Sequence, residues 1–167
     1  AAARGPARRL AEDAAKKRLA AQLPALPLAD GGKLETRLGD PAVKAAVDRA
    51  VANALAVTAE LETDGSWKVT MAVPVEAIRQ ALAGSARVLG ADPDAGPAVV
   101  IVDNAAAKPA VGYKLGALAA ATVFVKDVPA WAKGAPRLKA KGSKAGVIDV
   151  APGRATEATL FVIVGKP

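Results

Sequence analysis

The side chains with the clearest chemical purpose in this sequence are cations. Between residues 126 and 144 the chain sets Lys126, Lys133, Arg137, Lys139, Lys141 and Lys144 against a single acid, Asp127. Ammonium and guanidinium groups at that density can hold the phosphates or carboxylates of an anionic polymer, a lipid headgroup or an acidic partner. Lys133, Arg137, Lys139, Lys141 and Lys144 are therefore the candidate anion-binding residues. Binders of single-stranded nucleic acid interleave such cations with stacking aromatics, and here Trp131 alone is close in sequence. The plainer alternative is a solvated loop whose lysines keep an alanine-rich chain soluble.

Other chemistry is harder to assemble. With no histidine and no cysteine, the chain lacks imidazole bases, thiol nucleophiles and Cys/His metal sites. The paired carboxylates Glu60/Glu62 and Asp92/Asp94 read as surface charge, since Asp92-Pro-Asp94 lacks the ligand spacing of a calcium loop. There is no phosphate-cradling glycine loop and no Gly-x-Ser-x-Gly elbow. An enzyme would need Lys, Ser, Tyr or carboxylate chemistry, and nothing concentrates those residues. The expectation is a protein without catalytic residues, metal or cofactor.

Composition bounds the scaffold. The 167 residues carry 23 basic and 16 acidic side chains, a net charge of +7. Alanine supplies 43 positions and there are only five aromatics, so the core must be small and aliphatic. The charge is uneven: +4 over residues 1–49, −4 over 50–104 and +7 over 105–167. The longest apolar-rich stretch, Leu118 to Val125, is eight residues, well short of the roughly 18 that a membrane-spanning helix needs. The apolar content is too high for a disordered chain.

The elements follow from periodicity. Ala7, Ala11, Ala15, Leu19 and Leu23 form an i,i+4 stripe with Leu10 and Ala14 beside it, and Glu12/Lys16 and Asp13/Lys17 are spaced to pair on the polar side. Pro24 and Pro27 end this helix. Asp40-Pro41 opens a second one, with Val43, Ala46, Val47, Ala50, Val51 and Ala54 on its apolar face. A hairpin comes next. A three-residue loop, Thr63-Asp64-Gly65, pairs Leu61 with Trp67 and Ala59 with Val69, whereas a two-residue turn would set Leu61 against Lys68. Leu61, Trp67, Val69, Met71 and Val73 should then face the helices, and truncating a buried Trp67 to alanine should cost about 3 kcal/mol or more. Glu76 to Leu82 reads as a short third helix. After the Pro/Gly loop 90–97 come short strands at Ala98–Val102, Val111–Leu115, Thr122–Val125, Val147–Val150 and Thr159–Val164. The first and last of these are continuous apolar runs, the pattern of strands buried on both faces.

The order of these elements resembles a known family. The helix Ala7-Arg-Arg-Leu-Ala-Glu-Asp-Ala-Ala-Lys-Lys-Arg-Leu-Ala precedes an Asp-Gly hairpin that ends Met71-Ala-Val-Pro-Val-Glu-Ala-Ile-Arg-Gln-Ala-Leu. Pro97-Ala-Val-Val-Ile-Val-Asp-Asn, Lys108-Pro-Ala and the closing Ala158-Thr-Leu-Phe-Val-Ile-Val continue the likeness. Together they resemble the small envelope lipoproteins of Gram-negative bacteria related to the flagellar outer-membrane disk protein FlgP and the N-terminal domain of the flagellar ring protein FlgT. The chain departs from that pattern in having no lipobox cysteine and in reading Asp103-Asn-Ala-Ala-Ala-Lys before Lys108-Pro. The resemblance implies no catalytic residues. It implies a periplasmic or outer-membrane location, reached through a signal peptide that this chain does not carry, with Ala1 opening the mature chain.

The reading is thus an α+β fold: two N-terminal amphipathic helices on a mainly antiparallel twisted sheet, with a β-rich second half. Residues 1–89 form the helix-helix-hairpin-helix half and residues 98–167 the β-rich half, expected to pack as one domain. The expected function is non-enzymatic: a structural or scaffolding protein of the cell envelope that self-associates or binds envelope partners, and is flagellum-associated. The alternative is a binding module for lipopolysaccharide, acidic lipid or nucleic acid through the basic 133–144 segment.

Overall fold

The computed structural model describes residues 4–84, 96–103 and 106–165. It is an α+β fold that divides into two compact units: residues 1–26 with 34–85, and residues 27–33 with 86–167. Of the Pro/Gly loop 90–97, only Gly96 and Pro97 lie within the described residues, and Asn104 and Ala105 lie outside them.

In the first unit, helix α1 (Arg4–Gln22) turns the half-buried stripe Ala7, Ala11, Ala15 and Leu19 inward and leaves Leu10 exposed. It runs into a 3-10 turn, Leu23–Ala25, in which Pro24 withholds a donor and Leu26 N donates to Leu23 O at 2.9 Å. The ion pair on α1 differs from the one its spacing suggests. Arg8 Nε donates to Glu12 at 2.8 Å, while Lys16 Nζ donates to the Ala52 carbonyl at 2.8 Å. Ala52 closes helix α2 (Pro41–Ala52), where carbonyls lack intrahelical donors and the dipole favours a cation. At the other end of α2, Asp40 Oδ1 accepts from Ala42 N at 2.8 Å and Val43 N at 3.5 Å. Val47 is the buried centre of the expected apolar face.

Strands β1 (Leu55–Leu61) and β2 (Trp67–Ala72) form a two-stranded antiparallel sheet on which α1 packs. Leu61 opposes Trp67 and Ala59 opposes Val69, the register that the three-residue loop demands. Gly65 takes φ +84°, Glu62 N donates to Ser66 O at 2.9 Å, and Asp64 Oδ1 accepts from Ser66 N at 2.9 Å. Trp67, Val69, Met71 and Val73 are half-buried; Leu61, beside the turn, stays exposed. The alternation then breaks. Ala56 pairs with Met71 and Thr58 with Thr70, leaving Val57 as an extra residue in a β-bulge. Since Leu55 pairs with Ala72 and Leu61 with Trp67, the bulge puts these two leucines on opposite faces.

Helix α3 (Val75–Ala83) buries Ile78 and Ala81 and packs against α2. Glu76 accepts two bonds from Arg79, at 2.7 and 2.6 Å, and one from Gln80 at 3.1 Å. The Glu76 carboxylate holds the Arg79 guanidinium in its charged form, raising its pKa against the opposing effect of burial.

Among its described residues the second unit carries eight short strands: β3 (Val99–Asp103), β4 (Lys114–Leu115), β5 (Leu118–Ala119), β6 (Ala121–Val125), β7 (Arg137–Lys139), β8 (Gly142–Lys144), β9 (Val147–Asp149) and β10 (Leu160–Val164). One sheet has the order β6-β10-β3-β7 and every pair in it is parallel. The other, β5-β4-β9-β8, is mixed. The expected mainly antiparallel arrangement therefore holds for the hairpin but not for this larger sheet. The reason is burial. Val100, Val102, Phe161 and Ile163 face a core shared with Leu115, Ala120, Ile148 and Val150, while Ile101 and Val162 pack on the other side with Ala132. Strands apolar on both faces suit a covered parallel sheet. Parallel neighbours usually need a helical crossover; here β4 and β5 lie on the path from β3 to β6, and β8 and β9 on the path from β7 to β10.

Polar bonds lock the ends. Buried Thr159 donates from Oγ1 to Pro97 O at 2.8 Å and accepts from Thr156 N at 3.0 Å, tying the starts of β10 and β3 together. Tyr113 donates its hydroxyl to Lys108 O at 3.1 Å, with its ring 5.5 Å from that of Phe124. Residues 27–33 belong to this unit because Ala29 N donates to Val111 O and Val111 N to Pro27 O, at 2.9 and 3.0 Å. Gly146, at φ +79°, brings its Cα against the Ala29–Asp30 backbone, and an added Cβ would sit 3.2 Å from it.

Candidate functional site

The five cations singled out by sequence do not form one cluster. Lys133 follows a 3-10 turn (Ala130–Ala132), and Arg137 and Lys139 lie on β7, the edge strand of the parallel sheet. Lys144 lies on β8, an edge of the mixed sheet, with Lys141 between the two strands. A span of a dozen residues thus crosses from one sheet to the other.

Each cation has its own setting. Arg137 is neutralised: its Nη2 and Nε reach Asp103 Oδ1 and Oδ2 at 2.6 and 3.3 Å, a two-pronged pair across the β3–β7 ladder. Lys133, Lys139, Lys141 and Lys144 are exposed. Lys139 stands opposite Asp103 in the parallel register. Lys144 opposes Val147, which on its other side is level with Lys114, so Lys114 and Lys144 flank Val147 across β9. Sequence reading missed Lys114, thirty residues away, because only strand pairing brings it there. It likewise missed Asp103 as the partner of Arg137.

Trp131 is the second feature. Its neighbour Ala132 is buried against Ile101 and Val162, and the turn is closed by Ala132 N donating to Pro129 O at 2.9 Å and Ala135 N to Ala132 O at 3.1 Å. The indole is left 60% exposed. Alternation along β7 sets Arg137 and Lys139 on the same side of the sheet as Ile101, and this is the side that the 130–132 turn covers.

A cleft of about 510 Å³ opens in the same unit, lined by Gly96, Pro97, Val100, Leu138, Pro152 and Arg154 among others. Arg154 is the one charged side chain in that wall among the described residues. Gly96, at φ +86°, abuts the Arg154 carbonyl, where a Cβ would collide.

Of the paired carboxylates, Glu60 and Glu62 are surface groups. Glu60 is exposed opposite Lys68, and Asp92 and Asp94 lie outside the described residues. Asp64 has its pKa lowered from 3.8 by the Ser66 side-chain and backbone hydrogen bonds, in an exposed turn. Among the described residues no group of three or more His, Cys, Asp or Glu could hold a metal ion, and no helix is long and apolar enough to cross a membrane.

In the first unit the notable surface is apolar. Leu55, Val57 and Leu61 of β1 are 60%, 62% and 44% exposed, and Leu10 and Val75 are exposed as well. The buried hydrophobic core of this unit is Leu23, Leu34, Val47, Ile78 and Ala81.

Comparison with protein-family models, curated proteins and solved structures finds no match for this chain.

Proposed function

We propose that this is a non-enzymatic structural or scaffolding protein of the bacterial cell envelope, flagellum-associated, that works as an oligomer built through its first unit. The observation that carries the reading is β1. Among the described residues it pairs with β2 alone, and it exposes Leu55 and Leu61 on its two opposite faces with Val57 at the bulge between them, apolar side chains that a small unit with a thin core gains by covering. The bulge at Val57 twists the free edge away from ladder extension. Contact between copies is therefore made by side chains rather than by a continuous sheet. The envelope and flagellar assignment rests on the resemblance of the N-terminal helix, the hairpin and the closing strand to the FlgP-related lipoproteins.

The test is light scattering across a concentration series in salt that screens charge. The wild type should gain mass with concentration, and Val57→Lys and Leu61→Lys should both return it to the monomer. A wild type that stays monomeric at every concentration overturns the proposal.

A further inference from the structure

We propose that the side of the parallel sheet bearing Trp131, Lys133 and Lys139 is a docking surface for an anionic lipid bilayer. Three observations converge on it. First, Trp131 is presented, not loose. Its turn is hydrogen-bonded at both ends and pinned through Ala132, which is buried between Ile101 and Val162. An indole held out on a rigid mount suits the headgroup boundary, where an amphipathic ring meets both apolar and wet surroundings.

Second, cations share that side. Lys133 follows the same turn, and Lys139 projects on the same side of the sheet two residues beyond Arg137. Arg137 is withdrawn from the set by Asp103. Neither lysine forms an ion pair among the described residues, so both are available to lipid phosphates. Third, residues 27–33 and 86–167 carry twelve basic and seven acidic side chains, a net charge of +5, which draws this unit toward a negative surface.

The lone aromatic decides between occupants. Single-stranded nucleic acid needs successive stacking platforms, and the surface offers one. A bilayer needs only an anchor and neighbouring charge.

The experiment is co-sedimentation of the full chain with vesicles of phosphatidylcholine alone and of phosphatidylcholine mixed with phosphatidylglycerol, at low and high salt. Trp131 emission is followed in a Trp67→Phe background. Binding should be confined to the mixed vesicles, weaken with salt, and shift the Trp131 emission to the blue. Lys133→Ala and Lys139→Ala should each lower partitioning roughly fivefold, the Boltzmann equivalent of one lysine at an anionic surface. Trp131→Ala should lower it several-fold with an unchanged melting temperature. Absence of binding, equal binding to both vesicle types, or binding with unshifted Trp131 emission overturns the proposal. So does an Arg154→Ala variant that loses as much as Lys133→Ala, since attraction would then be diffuse. Oligonucleotide binding that depends on Trp131, without vesicle binding, would reassign the surface to nucleic acid.

Discussion

Trp67 offers a test of how the first unit is held together. Its ring is half-buried beneath α1, the Arg8 guanidinium carbon lies 5.6 Å from the ring centroid, and Nε1 is buried with no hydrogen-bond partner among the described residues. Truncating a fully buried tryptophan costs about 3–5 kcal/mol, so half-burial brings the loss to roughly 2 kcal/mol on the same scale. Losing the cation–π contact adds about 0.5–1 kcal/mol. Against this, the unmet indole N–H carries a penalty of about 1–3 kcal/mol that any substitution without the donor removes. Trp67→Ala should therefore destabilise by no more than about 2 kcal/mol, below the roughly 3 kcal/mol expected of a buried residue. Trp67→Phe keeps a ring under Arg8 and discards the orphan donor, so it should match or exceed the wild type. Urea unfolding followed by far-UV circular dichroism gives the free energies. Amide exchange in α1 and β2 assigns them to this unit, since a chain of two units need not unfold in one transition. A Trp67→Phe variant that loses as much as Trp67→Ala would refute the reasoning, because the indole N–H would then be satisfied in the native protein.

Two further outcomes follow from local geometry. Asp40→Ala leaves Ala42 N and Val43 N without their acceptor and should cost about 1 kcal/mol by denaturant titration, with Asp40→Ser recovering most of it. Asp64, whose pKa lies below 3.8 because Ser66 donates to its carboxylate, contributes stability that is fully present above the unfolded-state value and is lost as pH falls through the lower folded value. NMR titration of its carboxyl should show that depression in the wild type and its partial relief in Ser66→Ala.

What the sequence determined by itself is whatever depends on near neighbours. The i,i+4 stripe of α1 and the apolar face of α2 lie where their 3.6-residue period puts them, and Asp40 caps as its type and position before Pro41 require. The Leu61–Trp67 register follows from turn chemistry and two-residue alternation acting across a handful of positions. The apolar runs Ala98–Val102 and Thr159–Val164 announced burial on both faces of what fold as β3 and β10. Direction, partner and shared surface were decided only by the tertiary structure. Nothing local to β3 or β10 states that they run parallel, since an apolar strand offers the same ladder groups to either neighbour. The bulge at Val57 interrupts an alternation that looks intact in the chain, and turns Leu55 to the face opposite Leu61. Arg137 meets Asp103 across 34 residues, and Lys114 comes level with Lys144 across 30. Spacing along the chain could count these cations. It could not say which would be neutralised, or which would share a face, because those outcomes depend on long-range strand pairing that packs one sheet against the other.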